Sequence, residues 1–88
     1  MQCKVYDSYV TKRDGSVMHF DIIVPLPAND EEIILFGKEY LKSVGEGGQK
    51  ITTKECQFCH IEMASPEVER NIHQQGYYIL AMEGCPIV

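Results

Sequence analysis

Two runs rich in β-branched and aromatic residues open the chain, over residues 4–11 and 17–24. Arg13-Asp14-Gly15-Ser16 lies between them, and Asp-Gly flanked by such runs signals a β-hairpin. A two-residue Asp14-Gly15 turn sets Tyr9 opposite Phe20, Asp7 opposite Ile22 and Val5 opposite Val24. One face then carries Val5, Tyr9, Met18, Phe20, Ile22 and Val24 and reads as core. The other carries Tyr6, Ser8, Val10, His19, Asp21 and Ile23 and is mixed. A slip of one residue would destroy this division, because side chains alternate across a strand.

After Pro25 and Pro27 the period changes from strand to helix. Asn29 with Glu32 three residues on forms a capping-box pattern, and Asp30, Glu31 and Glu32 suit a helix N-terminus. Ile33, Phe36, Gly37, Tyr40, Leu41 and Val44 recur at helical spacing, and Gly45 ends the run. The glycine-rich stretch 45–50 reads as a mobile loop, and Thr52 with Glu55 as a single helical turn. Residues 57–63 read as a short strand with Cys59, Ile61 and Met63 toward the core and Phe58, His60 and Glu62 away from it. Ser65-Pro66 starts a second helix through Val68 and Ile72 to Gly76. Tyr77–Met82 is the last strand, and residues 83–88 form a tail.

The order β-β-α-β-α-β predicts an α+β fold of two layers: a four-stranded mixed sheet with both helices on one face, each β-α-β link being a right-handed crossover. That arrangement leaves the other face open, with Tyr6, Val10, His19, Asp21, Ile23, Phe58, His60 and Glu62 on it. A partly apolar open face calls for a partner, and a second copy is the simplest, so a homodimer is expected.

Composition narrows the function classes. Eighty-eight residues make a single domain over 1–88. Thirteen acidic against eight basic residues give a net charge of -5, which repels a phosphate backbone, so nucleic acid is not expected as a partner. No apolar run approaches the roughly 20 residues of a membrane helix, and Met1–Tyr6 does not open an export signal. The expected location is the cytoplasm, where Cys3, Cys56, Cys59 and Cys85 stay as thiols, small buried hydrophobes by default.

Cys56-Gln57-Phe58-Cys59-His60 is the one conspicuous motif. Its C-x-x-C-H string matches haem attachment, which normally requires export. As half of a zinc site it needs further ligands from Cys85, Cys3, His60 or His73. Parallel final strands would put Cys56 and Cys85 at opposite ends of the sheet, and alternation sends Cys59 and His60 to opposite faces. As a dithiol it lacks the helix N-terminus that lowers a thiol pKa. A second constellation, His19-x-Asp21 with His60-x-Glu62, gathers four polar groups if their strands are neighbours. It could hold a divalent cation or do acid–base work, or be an ordinary hydrogen-bonded surface cluster. No nucleophile–base pair can be placed, so an enzyme ranks third.

The chain resembles the bacterial DUF2024 family. The resemblance rests on Val5-Tyr6-Asp7-Ser8-Tyr9-Val10, Met18-His19-Phe20-Asp21, Gly37-Lys38-Glu39-Tyr40-Leu41, Glu55-Cys56-Gln57-Phe58-Cys59-His60, Gly76-Tyr77-Tyr78-Ile79 and Met82-Glu83-Gly84-Cys85. Gly37 departs from it, alanine being expected there. The resemblance implies a compact stand-alone α/β-type domain and supplies no activity, cofactor or catalytic residue. The leading expectation is a small binding domain that needs no cofactor, its ligand unspecified. The alternative is a zinc or thiol-redox protein using Cys56, Cys59 and His60, with His19, Asp21 and Glu62 as the open-face polar cluster.

Overall fold

A computed structural model describes residues 1–86. Strands β1 (Gln2–Thr11) and β2 (Val17–Pro25) form the hairpin, followed by helix α1 (Asp30–Ser43), strand β3 (Cys56–Met63), helix α2 (Pro66–Gln75) and strand β4 (Tyr78–Ala81). The element order is the expected one, and the fold is α+β. The four strands lie in the order β3-β1-β2-β4, and every neighbouring pair is antiparallel. The expected mixed sheet is therefore corrected. β2 and β3 do run parallel, but β1 lies between them, and α2 joins two edge strands that run in opposite directions.

The hairpin register differs by one residue from the expected one. Tyr9 pairs with His19, Asp7 with Asp21 and Val5 with Ile23. The cause is the turn. Lys12 N–H donates to the Ser16 carbonyl (2.7 Å) and Gly15 N–H to the Lys12 carbonyl (3.0 Å), with Gly15 at φ 88°. This is a three-residue loop with glycine in the left-handed position, not a two-residue turn. Asp14 Oδ1 holds it by accepting from Ser16 N–H (2.9 Å) and Ser16 Oγ–H (2.6 Å). β2 keeps its expected faces, and β1 is turned over against it.

The two helices lie on opposite faces of the sheet, correcting the two-layer expectation. Tyr6, Val10, Met18, Phe20, Ile22 and Val24 pack with Ile33, Leu41 and Val44 of the α1 segment. Cys3, Val5 and Ile23, on the reverse face, pack with Val68 and Ile72 of α2. Tyr6, Val10 and Ile23, expected on an open face, are 5%, 0% and 3% exposed. Those three no longer argue for a sheet-face dimer. The caps are as the sequence reads: Asn29 and Glu32 close a capping box, and Ser65 Oγ accepts from Val68 N–H. At Gly37 a Cβ would run into Ile51 Cδ1, so glycine there lets α1 sit close to Ile51. The glycine loop is pinned to the hairpin tip, where Arg13 N–H donates to Glu46 Oε1 (2.8 Å) and the Arg13 guanidinium to the Gly45 and Gly47 carbonyls. Among the described residues no helix is long and apolar enough to cross a membrane.

Candidate functional site

α2 covers one end of its sheet face and leaves the other end polar. There the corrected register sets Asp7 of β1 directly across from Asp21 of β2, with Tyr9 across from His19 in the adjoining pair. His19 Nε2 lies 3.5 Å from Asp7 Oδ1 and 3.9 Å from Asp21 Oδ1. One ligand atom from each of Asp7, His19 and Asp21 falls within 4.8 Å of the others. The Tyr9 ring stacks on the His19 ring at a centroid distance of 4.2 Å and an interplanar angle of 8°. The stacking fixes the imidazole plane, and its Nε2 lies toward the two carboxyls.

Asp21 is only 8% exposed. Its Oδ1 and the Nε2 of His19 are buried atoms without a hydrogen-bond partner. Burial, the hydrogen bond with Asp7 and the Asp7 charge raise the Asp21 carboxyl to about 7. Asp7 is held below the usual carboxylate range, first by its hydrogen bond with Asp21, with further help from the Cys59 thiol and His19.

β3 flanks β1 on the other side, so β2 and β3 are not neighbours, and Asp7 stands between their polar residues. The register of β3 shifts beside Val5 and Tyr6: His60 pairs with Val5, Phe58 with Tyr6, and Cys59 is the extra residue of a bulge. The bulge breaks the alternation expected for this strand. Cys59 Sγ and His60 Nδ1 lie 3.2 Å apart, on the same side, and His60 Nε2 reaches Glu62 Oε1 at 2.8 Å. Ile61 and Met63, expected in the core, are exposed, as is Cys59.

Cys56 does not join this group. It is buried on the α1 face, where Ser8 Oγ–H donates to its Sγ (3.2 Å) and desolvation pushes its thiol pKa up. The sheet separates Cys56 from Cys59, so the C-x-x-C pair does not form one pocket. Cys85 belongs to the α1 face too: its thiol donates to the His19 carbonyl (3.1 Å) and packs against the α1 core. Of the sequence-predicted residues, the structure brings together His19 and Asp21, and separately Cys59, His60 and Glu62. Asp7 links the two groups and was missed. Its signal was present, since the two-residue turn would have placed a carboxylate in the core opposite Ile22.

Residues 1–82 match the family model described as Domain of unknown function (DUF2024). The chain is also similar to protein NE1680 from Nitrosomonas europaea, solved by NMR. The two are 49% identical over 97% of this chain and 99% of that one, with a TM-score of 0.85. No curated protein matches the chain. With most of its length matched by that family model, the chain belongs to the DUF2024 family of domains of unknown function.

Proposed function

We propose that this domain binds a divalent cation on the polar end of its sheet, with Asp7, His19 and Asp21 as ligands. The supporting observation is the pair of buried, partnerless atoms, His19 Nε2 and Asp21 Oδ1, facing Asp7 Oδ1. Leaving a buried polar atom unpaired costs about 1–3 kcal/mol, and a cation removes that cost for both at once. Bonds of about 2.0–2.2 Å set tetrahedral ligand atoms roughly 3.3–3.6 Å apart. The His19–Asp7 spacing of 3.5 Å fits, and the His19–Asp21 spacing of 3.9 Å needs a small contraction. Three protein ligands leave a coordination position for water or a further group.

The test is titration calorimetry of chelator-treated protein with zinc, manganese and magnesium chlorides, alongside Asp21→Asn and His19→Gln. Stoichiometric binding of at least one ion, weakened at least tenfold in both variants, is expected. No binding, or equal binding by the variants, would refute the reading.

A further inference from the structure

We infer that the ion is of the zinc class and that Cys59 supplies its fourth ligand, a thiolate, while Cys56 takes no part. This rests on the cation reading of the Asp7–His19–Asp21 site and specifies it. An all-oxygen site suits magnesium or calcium. One imidazole and one sulfur added to two carboxylates shift the preference to borderline-soft ions.

The bulge is the structural basis. A regular β3 would alternate Cys59 and His60 across the sheet, and a thiol beside Asp7 would then exclude a neighbouring imidazole on that face. The extra residue brings both to one side. Cys59 of β3 and Asp7 of β1 line one surface cleft. The Cys59 thiol is not within 4.8 Å of all three ligand atoms, so coordination requires it to turn toward the site.

His60 and Glu62 provide the outer layer. With Nε2–H donating to Glu62, Nδ1 is the free acceptor that faces Sγ. As the sulfur–metal bond forms, the S–H bond breaks and its proton leaves to solvent at the exposed Cys59. His60, bridging Cys59 Sγ at 3.2 Å and Glu62 Oε1 at 2.8 Å, fixes the thiol side chain from outside, the kind of support that orients metal ligands elsewhere. Cys56 cannot compete, because its sulfur lies across the sheet with Ser8.

Cobalt(II) is the probe. Bound cobalt shows visible ligand-field bands whatever its ligands, and an intense near-ultraviolet charge-transfer band only when a thiolate is coordinated. The wild-type protein and Cys56→Ser should show both. Cys59→Ser should keep the ligand-field bands, lose the charge-transfer band, and bind zinc about 10–100-fold more weakly, with magnesium affinity unchanged. In a parallel measurement that needs no folded Cys56 variant, zinc should protect Cys59 of the wild-type protein from iodoacetamide, read by peptide mass spectrometry. Cobalt bound by the wild type without a charge-transfer band would overturn the thiolate ligand and leave the cation reading standing. So would a band that survives in Cys59→Ser. Failure of the wild type to bind cobalt or zinc while manganese or magnesium binds would overturn the zinc-class inference alone, and failure to bind any of the four would overturn both.

Discussion

Asp21 and Asp7 face each other across the hairpin with opposite displacements, Asp21 raised to about 7 and Asp7 lowered. A raised carboxyl favours the folded state most when protonated. Its contribution is complete below the unfolded value of 3.8 and is lost as pH rises through about 7. Metal-free protein should therefore lose stability from Asp21 between about pH 4 and pH 7. Asp7, with its lowered value, contributes in the opposite sense and only at more acid pH. Urea midpoints in chelator should fall across that window, and Asp21→Asn should flatten the slope. An unchanged slope in the variant would contradict the assignment. A second residue with a sharp requirement is Gly84, at φ 76°, where a Cβ would strike the Val17 carbonyl oxygen. Gly84→Ala should cost about 2 kcal/mol and free the His19 amide from Glu83, visible as faster hydrogen exchange at His19. His19, Asp21, Cys59, His60 and Glu62 were all legible as polar chemistry in the sequence. Asp7 signalled itself only as a carboxylate misplaced in the core, and its place among them stayed hidden because Arg-Asp-Gly-Ser supports either a two- or a three-residue turn, and the choice inverts every side chain of β1.

Helix boundaries were the most legible features at the level of elements, since caps are local and need no tertiary information. Asn29 Oδ1 accepts from Glu32 N–H at 2.9 Å, and Glu32 returns the contact to Asn29 N–H at 3.3 Å. Asn29→Ala should remove about 1 kcal/mol and lower the melting temperature by about 4–8 °C for a domain of this size. A shift under a degree would show that the Tyr6–Asp30 contact alone holds the start of α1. The β3 bulge was not legible. Nothing in Cys-Gln-Phe-Cys-His marks an extra residue, because a bulge is defined by the partner strand, and the partner was not known to be β1. Phe58 could have been a hint, since its ring meets Tyr6 edge-on at 5.7 Å on the α1 side, while His60 two residues on points to the other face.

For the molecule as a whole, the strand order decides what the helices cover. With β1 and β2 central, both of their faces need covering, and one helix goes to each. The sequence displayed two apolar helix stripes but not the order of strands, so it could not assign faces. The sheet now separates two hydrophobic clusters, one with Leu41 and one with Ile72. Leu41→Ala should cost about 2–5 kcal/mol and Ile72→Val about 0.5–1.5 kcal/mol. Because the two sites lie on opposite sides of the sheet, the double variant should match their sum within about 0.5 kcal/mol. A larger coupling, measured by urea unfolding, would mean that the sheet transmits repacking from one cluster to the other. The net charge of -5 also favours approach of cations over anions to the polar end, an effect that salt should weaken.

The central position of β1 has a consequence for biosynthesis. During synthesis β1 can pair with β2 as soon as β2 emerges, but its other edge waits for residues 56–63. Until they emerge, a nascent chain can present Asp7, His19 and Asp21 on a finished hairpin while the segment bearing Cys59 is still inside the exit tunnel. The outer edge of β1 stays unpaired for that interval, a template for wrong pairing that only the second half of the chain can close.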